Sequence, residues 1–372
     1  MEGSLEKTLS FLLFIGIGIL LRKKIPAGDQ TKGLKNLILT IALPATIFIA
    51  LLKININGDL LLYPLLALTF NVTLFAIAPL LLLIVDIKKN TTTGRSASLL
   101  LPSLAPGLSC FPFILEFLGD AALAKAAMAD LGNKFFVLFL LYLVALKWHF
   151  NHVDFTGSSL KSKLKMLLKT MIYEPVNLFI LIALVLVFLG INLESLPNFL
   201  SLTLTRLSFI MTPLVLLFIG LAVKLHHKQF FQIFSLLLLR ASFTLALITG
   251  FIAFTNTKTP ATILMMIAFC LSACSFWPFA HISAVDAKEQ AEKGISKTFN
   301  VNFALSILAL SLPISVLLIL GVLTAGNTFT SITNILLLSG SLATLGIIYP
   351  VVNFVKKGII AKKSTIQFIT EK

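Results

Sequence analysis

The chain reads as an all-α integral membrane protein: about ten transmembrane helices in a 5+5 inverted repeat, with an extra helix near the C-terminus. Three observations predict this. Of 372 residues, 58% are hydrophobic and 12% charged, with mean hydropathy +1.00, whereas a soluble domain carries about 25% charged residues. The apolar residues gather into runs of roughly 18–25, long enough to cross a hydrocarbon core of about 30 Å. Two of these runs are interrupted at corresponding places in the two halves, at Pro102–Pro112 in the fourth and Ser275–Pro278 in the ninth. Matched interruptions mark a transporter built from repeats, in which broken helices meet near the bilayer midplane and form the substrate site.

Eleven runs follow in order, at about 6–21, 34–52, 60–85, 96–119, 121–146, 174–193, 197–223, 230–254, 260–285, 299–323 and 331–355. The first is a helix rather than a signal peptide. Glu2 and Glu6 precede it, Arg22-Lys23-Lys24 stops it, and no small-residue cleavage site follows. Residues 1–146 form a first five-helix repeat and 174–323 a second, joined by a basic loop at 147–173. Five spans per half make the second half enter the membrane from the opposite side. The second and seventh runs each carry a proline, Pro44 and Pro213, and each ends at a lysine. Pro44 and Pro112 stand 68 residues apart, Pro213 and Pro278 65 apart. Residues 324–372 hold the eleventh helix, expected on the outside of the ten, and a basic tail.

A net charge of +15 in a soluble protein suggests nucleic acid, but the placement of the charges argues against that partner. Alternate loops hold 23 of the 30 basic residues, among them Arg22, Lys23, Lys24, Lys32, Lys35, Lys88, Lys89, Arg95 and Lys297. The other side has Lys7, Lys53, Lys125 and Lys258. By the positive-inside rule the N-terminus is expected outside and the C-terminus in the cytoplasm of a plasma-membrane protein. Cys110, Cys270 and Cys274 lie in apolar runs without nearby His or acid, a poor metal site. No phosphate-binding loop of the GxxxxGK[ST] type occurs, which argues against direct ATP drive. No cofactor is implied; a proton or a sodium ion is the expected coupling ion.

With the runs placed, four stretches resemble the auxin efflux carrier family. They are LKNLILTIALPATIF (34–48), GLSCFPFILEFLGDAALAKAAMADLGNKFFVLF (107–139) with Asp130, Gly132 and Asn133 as its Asp-x-Gly-Asn motif, residues 173–223, and SACSFWPFAHISAVDAKEQ (272–290). The resemblance covers about residues 1–323. It implies a ten-helix inverted repeat in which helices four and nine cross, and transport of a small organic anion such as a dicarboxylate or an indole acid. It also implies an elevator motion, with helices three to five and eight to ten moving against a scaffold of one, two, six and seven, the scaffold forming a homodimer interface. The chain departs from the family in having Ser109-Cys110 where an asparagine often precedes the fourth-helix break, and in its eleventh helix.

Backbone groups freed by a helix break cost several kcal/mol in lipid, so they must meet protein, water or a ligand. The residues beside the breaks are therefore the candidates for substrate binding: Gly107, Ser109, Cys110 and Pro112 at the first, Ser275, Trp277, Pro278 and His281 at the second. Trp277 reads equally as a packing residue, and His281 as a capped polar one. Intramembrane charges are candidates by default. Asp130 and Lys134, spaced i, i+4, read as a coupling or gating pair or as a self-neutralising one. Arg240 can clamp a substrate carboxylate or pair with Asp130 or Glu116, Glu116 being a third coupling or gating candidate. Asn133 joins the binding set; Asn71, Asn133, Asn177 and Asn302 also suit interhelical hydrogen bonds. Three rivals remain: a sodium-coupled bile-acid-type symporter, a transporter-fold receptor, and a membrane enzyme, for which His149, His152, His226, His227 and His281 are too scattered to make a site.

Overall fold

A computed structural model describes residues 2–25, 29–53, 60, 62–150, 175–222, 229–291 and 297–370. All regular structure among them is helical, as lipid demands of a chain that must satisfy its own backbone. The first run is α1 (Glu2–Leu21). The second is α2 (Asp29–Leu37), a π turn (Ile38–Ala42) and α3 (Leu43–Leu52). The third is α4 (Leu62–Ile84). The fourth folds in three pieces, α5 (Thr92–Leu100), α6 (Pro106–Ser109) and α7 (Phe111–Leu118). The fifth is α8 (Asp120–Phe135), a second π turn (Phe136–Leu140) and α9 (Leu141–Phe150). The basic loop lies outside the described residues from 151 to 174. Then come α10 (Pro175–Phe188), α11 (Asn198–Phe209) with α12 (Met211–Ala222), α13 (Phe230–Thr255), α14 (Pro260–Cys270) with α15 (Phe276–Ala291), α16 (Val301–Ala325) and α17 (Ile332–Thr370). Among the described residues, seven helical stretches of 20–30 residues are long and apolar enough to span a bilayer, and α10 and α14 are shorter apolar helices. The chain is an all-α integral membrane protein.

Polar side chains set several boundaries. Thr91 caps α5 by accepting the Gly94 amide at 3.1 Å, and Asn300 caps α16 through the Phe303 amide at 3.0 Å. Gly119, at φ 81°, makes the corner between α7 and α8.

The interruption in the ninth run lies N-terminal to where proline places it, and that in the fourth takes up only the N-terminal part of the stretch read from proline, with Pro102 inside it. In the fourth run the non-helical stretch is Leu101–Ala105, and Pro106 and Pro112 stand in the first turns of the helices that resume. In the ninth it is Leu271–Ser275, with Pro278 inside the first turn of α15. The reason is local. A first-turn amide has no intrahelical acceptor, so proline loses nothing there, while it drives the residue before it out of helical geometry. Ala105, at φ −127° and ψ 64°, shows that displacement.

Packing sorts the helices into two groups. α4, α5, α8, α9, α13, α14, α15 and α16 form one set of contacts and α1, α2, α3, α10, α11 and α12 another, with α3 against α8 and α1 against α16 where the two sets meet. At one end the ties are Arg22 to the Gly220 carbonyl (2.9 and 2.8 Å), Arg95 to the Thr298 carbonyl (2.8 Å), and His149 Nδ1 to Glu289 Oε1 (3.0 Å). At the other they are Lys53 with Asp120 (2.9 Å), Lys7 with the Glu116 carbonyl (2.6 Å), and Lys125 with Thr262 (3.1 Å). The basic loops that are described therefore gather at one end.

Within the second group α1 and α12 cross at Gly18 and Gly220, where a Cβ on Gly18 falls 2.4 Å from the Leu217 carbonyl and 2.9 Å from the Gly220 Cα. Small residues let membrane helices approach this closely. Gly18→Leu is expected to cost about 2–3 kcal/mol or more by overpacking, read as an earlier thermal unfolding transition in detergent; an unchanged transition contradicts the contact. The eleventh helix, α17, lies along α13. Ser235 donates to the Gly346 carbonyl at 2.5 Å and Ser339 to the Ser242 carbonyl at 2.8 Å. Its opposite face exposes Leu337, Leu345 and Phe354. It packs on the outside of the rest.

Candidate functional site

The two non-helical stretches meet side by side. The Ala105 amide donates to the Ala273 carbonyl at 2.8 Å. Serines complete the exchange: Ser109 Oγ accepts the Ala273 amide at 3.0 Å, and Ser103 Oγ accepts the Ser275 amide at 2.9 Å. Three neighbouring helices supply the remaining partners. From α8, Asn133 pairs with both peptide groups of Leu104, accepting its amide at 3.2 Å and donating to its carbonyl at 2.9 Å. From α16, Ser311 Oγ accepts the Cys274 amide at 3.2 Å. From α13, Arg240 donates to the carbonyls of Leu101 (2.7 Å), Ser272 (3.0 Å) and Ser103 (3.0 Å). Most of the freed backbone is thus satisfied by protein. The amides of Gly107, Leu108 and Phe276, in first helical turns, have no intrahelical acceptor by position.

Against this crossing lies a cavity of about 560 Å³ between the two helix groups. Lys35, Leu39 and Leu43 line it from the second run, Leu104 to Leu108 from the first break, Asp130, Asn133, Lys134 and Val137 from the fifth run, and Val176 and Phe218 from α10 and α12. Ala273 to Trp277 and four residues of α16 (Leu305, Leu308, Ala309 and Leu312) close it. The wall is mainly apolar, with one ion pair in it. Lys134 Nζ stands 3.5 Å from Asp130 Oδ2 and donates to Asn177 Oδ1 on α10 at 2.9 Å. Asp130 Oδ1 accepts from Asn133 Nδ2 at 2.8 Å, and Asn133 Oδ1 accepts from Asn71 on α4 at 2.9 Å.

Of the residues singled out from sequence, Gly107, Asp130, Asn133, Lys134, Ser275 and Trp277 line the cavity. Asn133 does so with its amide already engaged by Leu104, Asp130 and Asn71. Ser275 caps α15, accepting the Trp277 amide at 3.3 Å. Ser109, Cys110 and Pro112 are buried behind the wall, Ser109 as a tie between the breaks. Pro278 is buried in α15, and His281, also buried, points its Nε2 at the Val137 carbonyl (2.9 Å) beside Tyr142. Glu116 sits at the far end, on α7. Arg240 is outside the lining, and among the described residues no carboxylate lies within ion-pair distance of it. The guanidinium braces the crossing instead of meeting Asp130 or Glu116, because three carbonyls without amide partners surround it.

Sequence reading missed Lys35, Phe276 and Val137 as cavity residues. Lys35 counts by hydropathy as a loop flank, yet its Nζ lies 4.3 Å over the Phe276 ring. A cation just inside the start of a membrane run that lacks any acid within a helical turn was the available signal.

No family model matches the chain. An uncharacterized transporter from Methanocaldococcus jannaschii is 28% identical over 199 residues, which cover 53% of this chain and 61% of that protein. The match therefore spans less than two thirds of the relative's length. Together with the helical membrane architecture, this distant likeness supports a transporter, and the chain is a multi-pass integral membrane protein.

Proposed function

We propose that the protein is a secondary transporter that carries a small organic anion by elevator-type alternating access, in the manner of the auxin efflux carriers whose motifs it resembles. The observation that carries this reading is the cavity at the crossing of two broken helices, set between two groups of helices. The chemistry suits an anion. The N-terminus of α15 presents partial positive charge and an unsatisfied amide. Arg240 lies behind the crossing, where among the described residues carbonyl dipoles rather than carboxylates face its charge. The apolar wall suits a carbon skeleton, since burying each CH2 gains about 0.8 kcal/mol.

The group containing the breaks moves in this reading, and α1, α2, α3, α10, α11 and α12 form the scaffold and a homodimer interface. Lys134 on the moving α8 donates to Asn177 on the scaffold α10 and pairs with Asp130 on its own helix, so a change in this bonding accompanies the motion, and Asp130 is the group to carry a coupling proton. The basic end is cytoplasmic in a plasma-membrane orientation, with the cavity reaching toward it at Lys35.

Filling the cavity tests the reading. Ala309→Trp places an indole in it from α16. Uptake of radiolabelled phenylacetate or succinate into proteoliposomes, under imposed pH, sodium or potential gradients, is expected from the wild type and reduced at least tenfold in the variant. The thermal transition should be unchanged. Flux that survives the substitution, or wild-type liposomes that move neither acid under any gradient, would overturn it.

A further inference from the structure

We propose that Lys35 reads the charge of the transported anion, its ammonium leaving the face of Phe276 to pair with the substrate's acid group. The inference rests on the preceding reading of the cavity as the substrate site. Four observations carry it. Lys35 belongs to the span Gly33–Leu52 and lines the cavity. Among the described residues no carboxylate lies within ion-pair distance of it. Its Nζ rests 4.3 Å over the Phe276 ring, a contact that offsets only part of the cost of holding a half-buried cation partly away from water. The ion pair of the wall does not compensate it either, because Asp130 is engaged by Lys134 and Asn133. Lining side chains thus sum to one surplus positive charge, Lys35 and Lys134 against Asp130.

Position strengthens the case. Phe276 opens α15, so the ammonium already waits beside the helix end best placed to receive an anion. Lys35 stands on α2, in the scaffold group, and Phe276 on α15, in the group with the breaks. An acid held between the ammonium and the α15 amides joins the two groups, whereas a neutral analogue of the same shape leaves Lys35 on the ring. The residue determines specificity by charge and leaves the fit of the carbon skeleton to the apolar wall.

The probes are phenylacetate and its uncharged amide, phenylacetamide, with binding to purified full-length protein measured by equilibrium dialysis. Wild-type protein is expected to hold the acid at least tenfold more tightly than the amide. Lys35→Gln should lose tenfold or more for the acid and stay within about twofold for the amide, while Lys35→Arg keeps most of the discrimination. Phe276→Leu removes the ring that competes for the ammonium, so the acid should bind about two- to fivefold more tightly, the inverse of a cation–π contact's strength at an accessible site. Equal acid binding in Lys35→Gln and wild type, or a parallel loss for acid and amide, defeats the role of Lys35 while leaving the cavity as the binding site. Wild-type protein that binds neither probe defeats both.

Discussion

Arg240→Ala is expected to unfold the crossing, lowering the yield of monodisperse protein and not merely its flux. Leu101, Ser103 and Ser272 each direct a buried carbonyl at the guanidinium. Leaving a buried acceptor unpaired costs about 1–3 kcal/mol, so roughly 3–9 kcal/mol for the three. That is comparable to the whole stability of many domains. Arg240→Lys should rescue little. An ammonium is a point donor on a flexible stem, whereas the planar fork reaches three acceptors on two separate stretches at once. Size-exclusion chromatography in mild detergent with a thermal unfolding series decides the matter. Well-folded Arg240→Ala protein lacking transport would instead favour direct contact with substrate.

The second large effect is expected at Gly132, in the Asp-x-Gly-Asn stretch of α8. A Cβ there lands 1.9 Å from the Pro64 carbonyl oxygen and 2.7 Å from its carbon. The obstacle is backbone, which cannot rotate away as a side chain end can. Gly132→Val forces α4 and α8 apart along the face where Asn71 reaches Asn133, and Asn133 in turn holds Leu104. A loss beyond the usual 1–3 kcal/mol of overpacking is expected, with even Gly132→Ala measurably destabilised in thermal unfolding. Wild-type stability in Gly132→Ala would refute the close approach.

Much of this architecture is written in hydropathy. The run at 230–254 became α13 (Phe230–Thr255), and the run at 299–323 became α16 (Val301–Ala325), because a bilayer accepts only self-satisfied backbone of the right length. The breaks were legible through proline, and their exact places were not, since proline is compatible with a first turn and incompatible with the position before it. Asp130 and Lys134 were legible as a pair because i, i+4 spacing is a local property of a helix. The role of Arg240 was not legible. Its acceptors are carbonyls of residues 32 and 137–139 positions away, and any peptide group looks alike in sequence. Lys35 escaped for the opposite reason: a lysine at the edge of an apolar run is the ordinary mark of a membrane boundary, and only the fold brings the Phe276 ring beneath it.

The seam of serines and Gly346 that fastens α17 to α13 has a consequence for any carrier cycle. Through Arg240, α13 is tied to both breaks, so the displacement proposed for that body would take the eleventh helix along as cargo. In that cycle its outer stripe of leucine, isoleucine and valine would shear against surrounding acyl chains at every turnover, which would tie the cycling rate to membrane fluidity. A fluorophore attached after this helix would report the stroke directly, by its changing depth relative to a headgroup quencher.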